Sequence, residues 1–453
     1  MIIAFVQLVP VVVAIIFSEY ATAIFYGVTA IAAFIAGFTI YKLLPHYELE
    51  TKEAIILVAI VFPLSSLISA VPMALSTGMP FIDAFFESVS AITTTGLSVA
   101  PADLGPVFLF SRSWSQWVGG IGILLIMLSI LITPGINAAK IYKVYGGEKI
   151  LPNVISTTRL LGRIYVGITL IAIIILLLGG MTFFDAVCHA FSSVSTGGFS
   201  THPESIAAFQ GPLIPLMITI SCIMGAISFA IYPKMIKNPK VLIENLEVRY
   251  FLLVIAVGTV ALAYSISREP ETNMHLSDIL FQVVSALTTA GFSTTDLSVL
   301  SDASKGLMSG LMCIGGGIGS TAGGVKIFRL IVLVKLIKIV IARYFLPKET
   351  ITPLMVKDHV VENEELKQLT VFVLLYAIVL IISAYIFMLN GVGAGDAIFE
   401  VSSALGTVGL SAGVTDASMP AILKVILCTD MLLGRIEIIP LLILAMPRTW
   451  IKI

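Results

Sequence analysis

Long apolar segments constrain this chain more than any other feature of its sequence. They lie at 2–17, 21–41, 53–75, 107–133, 158–180, 211–236, 249–267, 304–341, 367–389 and 418–441. A helix needs about 20 apolar residues to cross the hydrocarbon core of a bilayer. Only 12% of the residues are charged, against about 25% in soluble domains, which is too few to cover a surface in water. The sequence therefore predicts an all-α integral membrane protein with about ten transmembrane helices.

The first apolar segment is expected to be retained as a membrane helix. It begins MIIAFVQLVP, with no Lys or Arg ahead of the apolar run. A signal peptide carries a basic stretch at that place and a small-residue cleavage site after it. Pro10 lies inside the segment, and membrane helices tolerate proline.

The charges in the loops predict the orientation of the chain in the membrane. Lysine and arginine are concentrated in three loops, at Lys140–Arg163, Lys234–Arg249 and Arg343–Lys367, whereas the connections on the other side are acidic or neutral. Basic loops stay on the cytoplasmic side of a membrane. We therefore expect a multi-pass protein of the plasma membrane with both termini in the cytoplasm.

Four of the outward connections share one sequence pattern, S-[AS]-[ILV]-x-T-x-G-[LF]-S. The copies are Ser90–Ser98, Ser192–Ser200, Ser285–Ser293 and Ser403–Ser411. Thirteen residues before each glycine stands an aspartate; the four are Asp83, Asp185, Asp278 and Asp396. Because every copy is flanked by two apolar segments, the chain is predicted to contain four tandem repeats.

Each copy fits a short helix that stops at mid-membrane and is followed by an extended strand. The aspartate is expected to be the N-cap of this helix, and the glycine lets the backbone leave helical geometry. Non-helical backbone at this depth must be buried in protein or line a water-filled cavity. Rings of backbone carbonyls that replace the hydration shell serve K⁺ in this way. The predicted K⁺ ligands are Thr94, Thr95, Gly96, Thr196, Gly197, Gly198, Thr289, Ala290, Gly291, Thr407, Val408 and Gly409.

Two alternatives to this interpretation remain open at this point. The four segments are compatible with small-residue motifs that pack helices against each other, although such motifs normally lie inside membrane spans. The aspartates are compatible with helix capping alone, without any part in attracting cations.

The eighth apolar segment is expected to be broken at mid-membrane by the sequence GGGIGSTAGG. Each glycine costs up to about 1 kcal/mol in a helix relative to alanine, so six within ten residues favour a loop at Gly315–Gly324. A phosphate-binding loop is disfavoured because Val325 stands before Lys326 and no strand precedes it. A glycine packing face and a rigid cytoplasmic turn remain as alternatives. The predicted gate consists of Gly315, Gly316, Gly317, Gly319, Ser320, Thr321, Gly323, Gly324 and Arg435.

Arg435 is included because a charge deep in a membrane span indicates a function. The competing interpretation is that its side chain reaches the cytoplasmic face or pairs with Asp430 or Glu437. Lys424, in the same span, lies nearer the outer face, and the sequence assigns it no role.

These motifs resemble the Trk/Ktr/HKT superfamily of K⁺ transport proteins, and the TrkH/TrkG branch most closely. Three further segments carry the resemblance: R-S-W-S-Q-W-V-G-G-I-G-I at Arg112–Ile123, G-G-G-I-G-S-T-A-G-G-V-K-I-F-R at Gly315–Arg329, and M-L-L-G-R-I-E-I-I-P at Met431–Pro440. The resemblance implies four M1–pore-helix–M2 repeats around one pore. The expected boundaries are a transmembrane hairpin at 1–45 and pore repeats at 46–140, 141–240, 241–345 and 346–453.

The resemblance also implies the function and the partners. The chain is expected to be the K⁺-selective conducting subunit of a Trk-type uptake system. It is expected to form a homodimer and to be controlled by a cytosolic TrkA-type nucleotide-binding subunit, with no nucleotide in this chain. The basic loops offer a docking surface, to which Ile351, Leu354 and Met355 are expected to contribute. The alternative is that these charges only set the topology and contact anionic lipid.

Other classes of function are disfavoured. A membrane-embedded enzyme needs a catalytic pair or a metal site within the spans, but four of the five histidines fall in predicted loops and His189 has no evident partner. A secondary transporter with inverted repeats is disfavoured because the four units share one orientation. No basic tract indicates binding of nucleic acid.

Overall fold

The computed structural model describes residues 1–43, 51–130, 154–269, 274–347, 353–356 and 359–450. These residues form α-helices, two short 3-10 helices (Ser205–Ala208 and Pro447–Thr449) and one hairpin of strands β1 (Met355–Val356) and β2 (His359–Val360). The helices are α1 (Ile2–Ile16), α2 (Tyr20–Leu43), α3 (Thr51–Thr77), α4 (Phe81–Ile92), α5 (Pro106–Ile130), α6 (Val154–Leu178), α7 (Phe183–Val194), α8 (Leu213–Ala226), α9 (Tyr232–Lys237), α10 (Lys240–Glu244), α11 (Leu246–Ile266), α12 (Leu276–Leu287), α13 (Asp302–Ile314), α14 (Ile327–Arg343), α15 (Asn363–Leu389), α16 (Ala394–Leu405), α17 (Ala421–Ile436) and α18 (Ile439–Ala445).

Five of these helices are long and apolar enough to cross a membrane, within the part of the chain that the structure describes. They are α2, α3, α6, α11 and α15. Many of their large apolar side chains are exposed, for example Ile31, Leu170 and Val260. An apolar surface of this extent is typical of a protein whose solvent is lipid.

A long helix is followed four times by a helix of twelve residues. The short helices are α4, α7, α12 and α16, and all four have the same length. Twelve residues at 1.5 Å per residue span about 18 Å, which is roughly half of a bilayer. Each short helix is followed by an irregular strand and then by a second, more buried helix, α5, α8, α13 or α17.

Among the described residues, the second helix is interrupted in the second, third and fourth units. The break after Ile314 was expected from the glycines, and helix geometry resumes at Ile327. The breaks after Ala226 and Ile436 were not expected, because the predicted segments continued to 236 and 441. Proline explains both: Pro233 and Pro440 stand in the first turn of the next helix, where the missing N–H and the ring cannot continue a preceding helix.

The N-terminal hairpin of α1 and α2 packs against the first unit through buried polar contacts. The Gln7 amide donates to the Ser69 hydroxyl over 2.6 Å, and the Tyr26 hydroxyl donates to that of Ser111 over 2.9 Å. The Trp114 indole N–H donates to the Val6 carbonyl over 3.0 Å. Buried hydrogen bonds of this kind fix orientation where apolar packing alone is not directional.

The apolar residues of the basic loop after α14 that were expected to take part in docking differ in their exposure to solvent. Leu354 is buried and packs into the apolar core of the third unit, so it is not available to a partner, and its expected part in docking is wrong. Met355 is exposed, on strand β1. Ile351 lies outside the described residues.

Candidate functional site

The four T-x-G strands have the same backbone conformation. The residue that ends each short helix is followed by a threonine with positive φ, and then by the glycine two residues later, also with positive φ. The threonine angles are 55° at Thr94, 54° at Thr196, 55° at Thr289 and 50° at Thr407, and the glycines are Gly96, Gly198, Gly291 and Gly409. A threonine with positive φ is strained, and strain recurring at four equivalent positions indicates that the surrounding structure imposes it.

The first serine of the repeat holds each strand to its short helix. The N–H of the residue before the glycine donates to this serine's carbonyl: Thr95 to Ser90 over 2.9 Å, Gly197 to Ser192 over 2.7 Å, Ala290 to Ser285 over 2.9 Å and Val408 to Ser403 over 2.8 Å. In the first and fourth strands the N–H of the glycine also donates to the serine hydroxyl, over 3.0 Å in both. The strand N–H groups are therefore bonded towards the helix.

Contacts between the four strands run in a closed cycle. A Cβ added to any of the four glycines would overlap a carbonyl oxygen of the following strand, and the fourth strand closes onto the first. The pairs are Gly96 with Gly197, Gly198 with Ala290, Gly291 with Val408, and Gly409 with Thr95. The structure thus brings together all four predicted segments, although they are far apart in sequence. A side chain at any of these glycines would displace a neighbouring carbonyl.

Gln116 of α5 supports the second strand from behind. Its amide nitrogen donates to the Gly197 carbonyl, and its amide oxygen accepts from the Phe199 N–H over 3.3 Å. A Cβ on Gly197 would lie 2.6 Å from that amide oxygen. Gln116 therefore occupies the space that a side chain fills in the other three strands. This role of Gln116 could not be predicted from the sequence, because the contact joins two different units.

The four aspartates are not N-cap residues, so that prediction is wrong. The N-caps are Pro80, Thr182, His275 and Gly393, and each aspartate occupies the third helical position. Two aspartates instead form ion pairs with the preceding unit in the ring; the pair of Asp83 is buried, whereas Asp396 is partly exposed. Lys424 Nζ lies 2.5 Å from Asp83 Oδ1, and Lys305 Nζ lies 2.7 Å from Asp396 Oδ1. A lysine in the first turn of α13 or α17 thus joins neighbouring units.

The glycine-rich loop after α13 lies against the inner ends of the strands. The Gly323 N–H donates to the Thr289 hydroxyl over 2.7 Å. The Thr321 hydroxyl contacts two carbonyls of the second unit, Val194 over 2.8 Å and Gly225 over 2.9 Å. Backbone and hydroxyl groups of the loop are therefore bonded to both the second and the third unit at the inner ends of their strands.

Arg435 binds this loop directly. The guanidinium donates to the Thr321 carbonyl over 2.7 Å and to the Gly119 carbonyl over 3.2 Å, and the side chain is only 3% exposed. The two acids considered as its partners have other contacts. Glu437 pairs with Arg329 over 2.8 Å, and Asp430 accepts from Ser383 over 2.9 Å.

The first residues of the loop are bonded to the helices around it. The Gly317 N–H donates to the Ala226 carbonyl over 2.9 Å, at the broken end of α8. The Ile318 N–H donates to the Glu247 carboxylate over 3.0 Å. Glu247 stands in the first turn of α11, and sequence reasoning missed it because an acidic first turn is a common helix feature.

A cavity of about 580 Å³ opens on the other side of the ring. Its lining includes the four glycines and the serine two residues after each of them: Ser98, Ser200, Ser293 and Ser411. Asp296 also lines it, and the N–H and hydroxyl of Ser298 lower the pKa of this carboxyl by hydrogen bonding. The lining of this cavity therefore keeps a negative charge at Asp296, and such a charge attracts cations.

The chain is similar to known cation transport proteins. The model of a cation transport protein family, TrkH, matches residues 21–450. The Trk system potassium uptake protein TrkG of Escherichia coli is 31% identical over 97% of this chain and 94% of its own. An uncharacterized cation transporter of Methanocaldococcus jannaschii is 32% identical over 90% of this chain and 85% of its own. The crystal structure of the potassium transporter TrkH from Vibrio parahaemolyticus covers 99% of this chain and 96% of its own, with a TM-score of 0.88 at 26% identity.

Proposed function

Because the chain belongs to the TrkH family of cation transport proteins, we propose that it is the K⁺-selective conducting subunit of a Trk-type potassium uptake system. The observation that carries this proposal is the closed cycle of contacts among the four T-x-G strands. Four strands around one axis offer a ring of backbone carbonyls, which is the ligand set that replaces the hydration shell of K⁺.

The proposed selectivity filter consists of the three residues of each T-x-G strand. The four short helices end at these strands, so the partial negative charge at their C-termini favours a cation in the ring. The proposed pore is built from four repeats, with the boundaries 46–140, 141–240, 241–345 and 346–453 and the hairpin 1–45 outside it.

The loop Gly315–Gly324 is proposed as the gate, with Arg435 as its anchor. Irregular backbone at membrane depth must line a cavity or be buried, and this loop is bonded to the strands above it and to Arg435 beside it. The anchored loop obstructs the inner side of the filter, and the guanidinium adds a positive charge that opposes the passage of K⁺.

Control of the gate is proposed to come from outside the chain. The family resemblance supports a homodimer and a cytosolic TrkA-type regulatory subunit, with both termini on the same side as that subunit in the plasma membrane. The exposed hairpin residues Met355 and Val360 and the basic loop around them supply a surface for docking.

The filter assignment is tested with purified protein in liposomes, by measuring uptake of radioactive Rb⁺ and its competition by K⁺ and Na⁺. K⁺ should compete strongly and Na⁺ weakly. Gly291→Ser should reduce this difference, because its Cβ would overlap the Val408 carbonyl oxygen. Gly310→Ser is the matched control in the same unit, since a Cβ there meets nothing within 4 Å. Equal competition by Na⁺ and K⁺ in the wild type would overturn the proposed function.

A further inference from the structure

A buried polar residue stands nine positions before the filter glycine in every repeat. The four are Glu87, His189, Gln282 and Glu400, and each is 0% exposed. They differ in charge and chemical type, so no shared letter marks them in the sequence. Burying such groups in a membrane protein is costly unless hydrogen bonds compensate. Their equal spacing therefore calls for a common set of partners.

The common partner is the serine two residues after the glycine. The hydroxyl of Ser98 donates to Glu87 over 2.8 Å, and that of Ser411 donates to Glu400 over 2.6 Å. In the other two repeats, His189 Nε2 is hydrogen-bonded to Ser200 Oγ over 3.0 Å, and Gln282 Nε2 donates to Ser293 Oγ over 2.8 Å. Each bond joins the short helix to the strand that leaves the filter on its outer side.

The serine hydroxyl makes a second contact in all four repeats. It accepts the backbone N–H two residues further on, from Ala100 over 3.3 Å, His202 over 3.0 Å, Thr295 over 3.2 Å and Gly413 over 3.0 Å. This local turn fixes the direction of the outgoing strand. The buried residue, the serine and the turn form one hydrogen-bonded group, which we call the outer clamp.

The outer clamp is strongest in the first and fourth repeats, where a carboxylate takes several bonds. Glu400 also accepts from the N–H of Ala412 over 2.8 Å and from the Thr415 hydroxyl over 2.6 Å. Glu87 also accepts from the Val99 N–H over 2.7 Å and pairs with Arg112 over 3.2 Å. Hydrogen bonds to charged groups are the stronger ones.

The second and third repeats use neutral groups. His189 Nδ1 lies 2.8 Å from the Asp185 carbonyl oxygen, which can only accept. Nδ1 therefore carries the ring proton, and Nε2 accepts from Ser200. In the third repeat the direction is reversed, because the Gln282 amide donates to Ser293 and the Ser293 hydroxyl donates to the Thr295 carbonyl.

We propose that Glu87, His189, Gln282 and Glu400 are positioning residues of the filter, which set its K⁺/Na⁺ discrimination by fixing the strand on the outer side of each filter glycine. This inference rests on the proposed function. Discrimination between two cations of equal charge depends on the number and placement of carbonyl oxygens. Each clamp bridges the helix before the filter strand and the chain after it, so releasing the clamp frees the glycine between them.

The test compares Glu400→Leu with Glu400→Gln in the liposome assay, measuring the ratio of K⁺ to Na⁺ competition against Rb⁺ uptake. Glu400→Leu should lower this ratio by about tenfold, as expected for the loss of a hydrogen bond to a charged group. Glu400→Gln should retain most of it, because the amide oxygen still accepts from Ala412 and Gln282 is the natural precedent. Gln282→Leu should lower the ratio less than Glu400→Leu, because it removes bonds to neutral groups.

Gln7→Leu is the control for a purely structural loss. Gln7 is 3% exposed and has one buried hydrogen bond to Ser69, in the hairpin outside the ring. It should lower the melting temperature without changing the ratio. If Glu400→Leu fails to fold, Ser411→Ala cuts the same clamp with a smaller change and should lower the ratio. A wild type that prefers K⁺ together with a folded clamp variant of unchanged ratio would overturn the inference alone. A wild type without K⁺ preference would overturn both proposals.

Discussion

Replacing Arg435 by methionine tests the proposed gate most directly, because it removes the anchor of the loop and leaves the filter residues unchanged. The guanidinium donates to the Thr321 carbonyl over 2.7 Å and to the Gly119 carbonyl over 3.2 Å. Hydrogen bonds to charged groups contribute about 1.5–3 kcal/mol each. The lower figure for both bonds gives about 3 kcal/mol, which changes the ratio of anchored to released loop by roughly 150-fold.

The assay is Rb⁺ uptake into liposomes that contain the purified chain without any regulatory subunit. Arg435→Met should raise the basal rate by at least about tenfold, because even a partial release populates the conducting state. The K⁺/Na⁺ ratio should stay that of the wild type. Uptake at the wild-type rate in folded Arg435→Met would refute the assignment of Arg435 as the anchor.

Arg435→Lys separates the two effects of the guanidinium. Lysine retains the positive charge but lacks the planar fork that reaches two carbonyls at once. If the hydrogen bonds anchor the loop, the lysine variant should show an intermediate rate. A rate equal to the wild type in Arg435→Lys, with a raised rate in Arg435→Met, would assign the barrier to the charge and not to the hydrogen bonds.

Three further predictions concern other parts of the molecule. Gly291→Ser should lower the K⁺/Na⁺ ratio by at least about tenfold, whereas Gly310→Ser should leave it unchanged; equal ratios in both would contradict the filter assignment. Lys424→Met should destabilise the protein by about 3–5 kcal/mol, because it leaves the buried Asp83 carboxylate unpaired. Adding Asp83→Asn to this variant should recover part of the melting temperature in detergent, whereas strictly additive losses would argue against the ion pair. Met355→Ser should weaken co-purification with a TrkA-type subunit at moderate salt, and unchanged binding would exclude strand β1 from the contact.

Much of the architecture could be predicted because it depends on local sequence. Long apolar segments identify membrane helices whatever their neighbours are, and six glycines within ten residues break a helix by their own cost, as the loop after Ile314 shows. The family resemblance, drawn from the repeats and three further motifs, is confirmed by the match over residues 21–450. The equivalent strands could be aligned because their T-x-G letters are nearly identical.

Contacts between units could not be read from the sequence. Gln116 supports a strand of the next unit, and Lys424 pairs with an aspartate far earlier in the chain. The aspartates were assigned as N-caps from residue type alone, but the chain enters each short helix two or three residues earlier. The outer clamp had a detectable signal, a polar residue always nine positions before the glycine. It was missed because Glu, His and Gln share polarity and no single chemical group.

Four repeats in one chain permit an asymmetry that identical subunits could not have. Gly119, Gly225 and Gly434 occupy equivalent places, each against the carbonyl of the last residue of a short helix: Ile92, Val194 and Leu405. The residue after each of them is Gly120, Ala226 and Arg435, so of these three repeats the fourth alone carries a cation there. In a ring of four identical subunits, the same position would place four buried guanidinium groups around one axis, and like charges so close disfavour each other. A tandem chain can keep one arginine, and the loop that it binds, while all four T-x-G strands keep the same backbone conformation.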